Sequence, residues 1–117
     1  MDDIKIGTAS WTDKTLIESG TFYPDHVKTA EARLRFYAEH FDTVEVDSSY
    51  YGMPAERNAR LWAERTPPAF IFHLKAYSML TGHPTRIRAI PQVLRKELPR
   101  ALAEREKAKE FPKEIVE

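Results

Sequence analysis

Thr43-Val44-Glu45-Val46-Asp47-Ser48-Ser49-Tyr50-Tyr51 is a short alternating run that leads straight into two acids, two hydroxyls and two phenols. Apolar residues at every second position over four or five residues are the pattern of a strand with one buried face. In parallel α/β proteins ligands sit beyond the C-terminal tips of the strands. Polar residues crowded at such a tip therefore point to a site, and this stretch bears on both the fold class and the place where chemistry is expected.

Working outward, Ile4-Lys5-Ile6-Gly7-Thr8-Ala9 alternates and reads as a first strand with Ser10-Trp11 at its tip. From Thr12 to Lys28 the chain carries Gly20, Phe22-Tyr23 and Pro24 and reads as a long, partly structured loop. Thr29 is a suitable N-cap, and Leu34, Tyr37, Ala38 and Phe41 recur at helical spacing, which predicts an amphipathic helix from about Ala30 to Phe41. Thr43 to Asp47 is the second strand. Pro54 suits the first turn of a helix running to Arg65, with Ala55, Ala59, Trp62 and Leu61 on its buried side, and Thr66-Pro67-Pro68 stops it. Ala69 to Ala76 is the third strand. Two helix-sized crossovers between three strands spell βαβαβ, an α/β chain with a parallel sheet and right-handed connections. Residues 1–117 are read as a single domain in which 78–117 form an irregular, charged extension punctuated by Pro84, Pro91, Pro99 and Pro112. Within it only Arg100 to Glu110 has a helical stripe, made of Ala101, Leu102 and Ala108.

Composition narrows the function classes. The chain is 42% hydrophobic and 11% aromatic, enough for a packed core. Its 18 basic and 18 acidic side chains cancel, so no global field favours nucleic acid or an anionic membrane. The absence of cysteine excludes disulfides, thiolate metal sites and a cysteine nucleophile. No apolar run approaches the roughly 20 residues of a membrane span, and the acidic N-terminus lacks an apolar signal core. A cytoplasmic protein without a membrane partner is expected.

Several separated motifs carry a resemblance. Ile6-Gly7-Thr8-Ala9-Ser10-Trp11, Gly20-Thr21-Phe22-Tyr23-Pro24, Phe36-Tyr37-Ala38, Phe41-Asp42-Thr43-Val44-Glu45-Val46, and Trp62-Ala63 through Phe72 and Lys75 together resemble the YecE-like family, domain of unknown function 72. The resemblance runs from Ile4 to about Arg88 and more loosely into the tail. It implies a TIM-type (β/α) barrel in a family without an established activity. Asp47 and Ser49 depart from the asparagine and threonine usual in that family. A barrel of this type takes about 250 residues. The chain is therefore expected to be an incomplete N-terminal portion, truncated relative to a whole barrel, with about three parallel strands and their crossover helices. Such a portion leaves the third strand as an open edge, to be covered by a homo-oligomeric partner, by a missing C-terminal half or by the Pro-rich tail.

Strand parity orders the candidate site. Val44 and Val46 take one face and Glu45 and Asp47 the other; likewise Phe70, Phe72 and Leu74 separate from Ile71, His73 and Lys75. If the apolar sets face the helices, Glu45, His73 and Lys75 share the interior, and a Glu45–Lys75 ion pair is expected. Such a pair can be a structural filler or a general acid and base, because burial and a charged neighbour tune both groups. Trp11, Tyr50 and Tyr51 offer rings at the strand ends, either to stack on a ligand or to pack on the protein itself. His83, Arg86 and Arg88 with Thr81 and Thr85 suit an anion or a solvated loop. The candidate catalytic residues are Glu45 and Lys75, with Trp11, Asp47, Tyr51, His73, His83 and Arg86 binding a small polar or anionic ligand. His26, His40, His73 and His83 have no zinc-motif spacing, so a metal is poorly supported, with Glu45, Asp47 and His73 converging on a divalent ion as the alternative; Gly7 and Gly20 make no phosphate-cradling loop, and the cofactor stays open. Three readings stay open: an acid/base enzyme, a ligand- or nucleic-acid-binding module without turnover, and an inactive piece of a longer protein.

Overall fold

The computed structural model describes residues 4–97. Three parallel strands, β1 (Gly7–Ala9), β2 (Thr43–Val46) and β3 (Ile71–Leu74), form one sheet in the order β1-β2-β3. Gly7, Thr43 and Ile71 lie in one row across the sheet, and Ala9, Glu45 and His73 in another. The α/β class and the parallel βαβαβ order match the sequence reading. β1 and β3 are shorter than expected, because β2 begins at Thr43 opposite Gly7 and ends at Val46 opposite Leu74. Residues before Gly7 have no facing strand in β2, and Ile4 and Ile6 stand exposed.

The helices follow local signals of unequal strength. α1 (Lys14–Glu18) interrupts the stretch expected to be loop, started by Asp13, whose carboxylate accepts the Leu16 N–H at 3.1 Å. α2 (Ala30–His40) forms as expected: Thr29 Oγ1 accepts the Ala32 N–H at 3.0 Å, and extended backbone at Phe41 ends it. This satisfies one of the orphan donors of the first turn. α3 (Ser48–Tyr51), a single turn after β2, had no sequence signal. α4 (Glu56–Glu64) starts after Ala55 rather than at Pro54, and its expected buried side is corrected in part: Leu61 and Trp62 are half-buried, but Ala55 and Ala59 are exposed and no residue of α4 is fully buried. Trp62 carries its attachment, stacking on Phe72 at 6.1 Å and meeting Trp11 edge-on at 5.3 Å.

The chain forms two compact units. The first, residues 4–47 and 55–74, contains the sheet, α1, α2 and α4. Its core is Trp11, Leu34, Tyr37, Val44 and Val46, with Phe22, Phe41, Trp62, Phe70 and Phe72 packed against it. The valines of β2 and the phenylalanines at the start of β3 thus face the helices, as parity predicts. Leu34 and Tyr37 are wholly enclosed, so truncating either removes core volume at a cost of about 2–5 kcal/mol. Aromatic rings fill this core at edge-to-face angles, among them Phe22 against Phe36, Tyr23 and Tyr37.

The second unit comprises residues 48–54 and 75–97. It holds α3, two 3-10 turns at Ser78–Thr81 and Ile87–Ala89, and a one-turn helix α5 (Gln92–Arg95). Tyr77, Ile87 and Ile90 are buried, and the Tyr77 hydroxyl donates to the Ala89 carbonyl at 2.9 Å. The helix expected over 100–110 lies outside the described residues. Among the described residues no helix is long and apolar enough to cross a membrane.

Candidate functional site

Glu45 and His73 are register partners on neighbouring parallel strands, so their side chains leave the same face of the sheet. Adjacent strands lie about 4.8 Å apart, which sets a carboxylate beside an imidazole. The face is opposite to the one carrying Val44, Val46 and Phe72, and Glu45 is half-buried while His73 is exposed. Over it opens a depression of about 270 Å³ lined by Lys5, Gly7, Thr8, Ala9, Thr43, Val44, Glu45 and His73. Small residues on β1 leave that space. At Gly7 the reason is close approach: a Cβ built there would stand 2.1 Å from the Thr43 carbonyl oxygen.

The tip of β1 bends sharply. Ser10 adopts a left-handed φ of 72°, an unusual conformation for a residue with a Cβ. Its N–H still donates to the Glu45 carbonyl at 2.8 Å, and its Oγ accepts the Thr12 N–H at 3.0 Å. Beyond this bend Trp11 enters the core, 8% exposed, with its ring edge-on to Trp62 and Phe72. The Tyr23 hydroxyl donates to the Trp11 carbonyl at 2.5 Å. Burial, reinforced by the neighbouring Tyr37 and opposed by Arg33, pushes the Tyr23 phenol up to about 12.

The remaining candidate residues occupy other positions. Asp47 follows β2 and is half-buried. Tyr51 closes α3 with its ring largely exposed, edge-on to Tyr50 at 5.1 Å. Lys75 directly follows β3 and belongs to the second unit, where its carbonyl accepts the Ser49 hydroxyl at 2.8 Å. His83 follows the first 3-10 turn, with its Nδ1 2.7 Å from Thr81 Oγ1 and its ring 5.8 Å from that of Tyr50. Arg86 caps the second 3-10 turn and is exposed. The structure thus brings Glu45 and His73 to one cavity in the first unit, and gathers Tyr50, Thr81 and His83 in the second. Among the described residues no group of three or more histidines and acids is arranged to hold a metal ion.

Three features escaped the sequence reading. The Ser10 bend has no signature, since left-handed serines are uncommon and no residue type announces them. Lys5 as a wall of the cavity follows only from the register. The Thr81–His83 pairing had a weak signal in Gly82, whose left-handed φ of 72° ends the first 3-10 turn and folds His83 back over it.

Comparison with known proteins identifies the family. The profile described as "Protein of unknown function DUF72" matches residues 5–115. The chain is 41% identical over 81 residues to the UPF0759 protein YunF of Bacillus subtilis (strain 168), a stretch covering 68% of this chain and 26% of that relative. The aligned part of the chain spans about a quarter of the length of the curated relative it matches. No solved structure gives a significant match. With the family profile covering nearly every residue and the β1 and β2 motifs standing in the parallel register described above, the chain belongs to the DUF72 family.

Proposed function

We propose that this chain supplies the opening strands of a TIM-type (β/α) barrel whose C-terminal mouth performs acid/base chemistry on a small polar, anionic metabolite. Glu45 and Lys75 are the candidate proton-exchanging residues, and Asp47, Tyr51, His73, His83 and Arg86 the candidate ligand-binding residues. Trp11 backs the β1 tip as a packing group. The observation that carries the reading is the Ala9–Glu45–His73 row on the sheet face turned away from the core, beside an open depression. A carboxylate next to an imidazole near a strand tip is a standard arrangement for moving a proton. Lys75 has the strand parity of His73. Its amine suits the negative charge of the ligand.

The eight strands of such a barrel exceed the three described here, so turnover is assigned to the closed barrel. The test introduces Glu45→Gln and Lys75→Met into a polypeptide that forms that barrel, and screens carboxylate and phosphorylated metabolites by thermal shift and turnover. Retained binding with turnover lost by a factor of about 10²–10⁴ supports acid/base catalysis. Undiminished turnover in both variants removes the pair from the mechanism. Retained binding without turnover even in the unmutated protein identifies a binding module instead.

A further inference from the structure

Ser49 is the buried residue of the single turn α3, 4% exposed. The Gly52 N–H closes that turn on the Ser48 carbonyl at 3.1 Å. A hydroxyl taken out of water needs a hydrogen-bond partner, and Ser49 Oγ donates to the Lys75 carbonyl at 2.8 Å, 26 positions away in the sequence. Both residues belong to the second compact unit.

The place of this bond gives it weight. The paired rows of β2 and β3 end at Val46 and Leu74, so Lys75 stands one position past the ladder, where strand ends fray most readily. Two residues further on, Tyr77 is buried and its hydroxyl donates to the Ala89 carbonyl at 2.9 Å. Next to it the buried Ser78 and Thr85 hydroxyls pair at 2.7 Å. The main chain of Lys75 is thus held at its own carbonyl and leads directly into a hydrogen-bonded, buried segment, while the residue itself is exposed. A lysine carries its ammonium on a flexible four-carbon stem. Reproducible placement of that group requires that the backbone from which the stem departs stay fixed, and a bond to the carbonyl restrains the peptide plane beside the Lys75 Cα.

We propose that Ser49 is a positioning residue for Lys75: its hydroxyl fixes the main chain from which the lysine side chain departs. This rests on the reading of Lys75 as a proton-exchanging residue and supplies the support which that role needs. The hydroxyl is the working part, so Ser49→Thr keeps the function. Ser49→Ala removes the donor, and Ser49→Cys fills the space with a weak one.

Two measurements test the assignment. In the 117-residue chain, ¹³C relaxation of the Lys75 β-methylene reads the order of the first bond of the side chain. The order parameter is expected to fall in Ser49→Ala and Ser49→Cys and to keep its wild-type value in Ser49→Thr. An order parameter unchanged in alanine and cysteine, or lowered as much in threonine as in alanine, overturns the proposal; the cysteine variant preserves the packing and keeps the test decisive if alanine fails to fold. In the polypeptide that forms the closed barrel, Ser49→Ala is expected to lower turnover by about 10²-fold, the scale of a small misplacement of a reacting group. In a Lys75→Met background the same substitution is expected to cost nothing further, because its effect passes through the lysine. Equal losses in both backgrounds mark a merely structural serine and overturn the proposal. Undiminished turnover in Lys75→Met alone removes the lysine from the chemistry, and the relaxation measurement then decides by itself whether Ser49 orders it.

Discussion

The hydroxyl of Tyr37, on α2, accepts the backbone N–H of Thr8, on β1, at 2.8 Å, while donating to the Thr43 carbonyl of β2 at 3.2 Å. One buried phenol therefore clips two strands together at the root of the candidate cavity. Tyr37→Phe keeps the ring and removes the hydroxyl that bonds both Thr8 and Thr43. Loss of a buried partner costs about 1–3 kcal/mol. The urea midpoint is expected to fall by the corresponding amount with an unchanged slope; a midpoint equal to the wild type would show that water replaces the phenol at no cost.

Gly7 is required by space rather than by its dihedral angles. A methyl group at 2.1 Å from the Thr43 carbonyl oxygen forces β1 away from β2, because both atoms belong to rigid backbone. Gly7→Ala should lower stability by about 1–3 kcal/mol, the usual range for overpacking, and weaken protection of the Thr8–Ala9 amides in hydrogen exchange. Full retention of the melting temperature would place the strands farther apart than described.

Ser10 tests the strain at the β1 tip. Ser10→Gly and Ser10→Ala both lose the hydroxyl that accepts the Thr12 N–H, so their difference isolates the backbone. At a φ of 72° the glycine variant should be the more stable by about 1 kcal/mol. Comparison of denaturant midpoints checks the order, and alanine equal to or above glycine would show that the bend relaxes.

Tyr23 links stability to alkaline pH. Its folded-state phenol titrates at about 12 against the ordinary 10, chiefly through burial. The unfolded chain thus loses this proton first, and folding stability, fully present below pH 10, declines as pH rises from 10 through 12. Burial pushes the Tyr77 phenol up as well, so it adds to the same decline. Tyr23→Phe should flatten part of the slope in denaturant titrations at successive pH values, and an unaltered slope would assign the effect elsewhere.

Much of the frame is legible in the residues themselves. The spacing of Leu34, Tyr37, Ala38 and Phe41 and the Thr29 cap determined α2 almost to the residue, because periodicity and capping are local properties. The alternation of Val44 and Val46 with Glu45 determined which face of β2 is buried, since a strand has a period of two. α1 was missed because a five-residue helix leaves too little periodicity to read against its neighbouring glycine and proline. The buried side expected for α4 held for Leu61 and Trp62, which are half-buried, and failed for Ala55 and Ala59, because alanines carry little apolar area.

What the chain determined by itself was therefore the order of elements, the parallel α/β class and the shared sheet face of Glu45 and His73. Only the tertiary structure decided that these two stand opposite each other, that Gly7 must be bare, that Ser10 bends left-handed and that the ring of Trp11 is core. Pattern in a sequence is governed by neighbours a few positions away. Register, close approach and ring packing are instead set by residues such as Gly7, Thr43 and Ile71, which meet only when the sheet assembles.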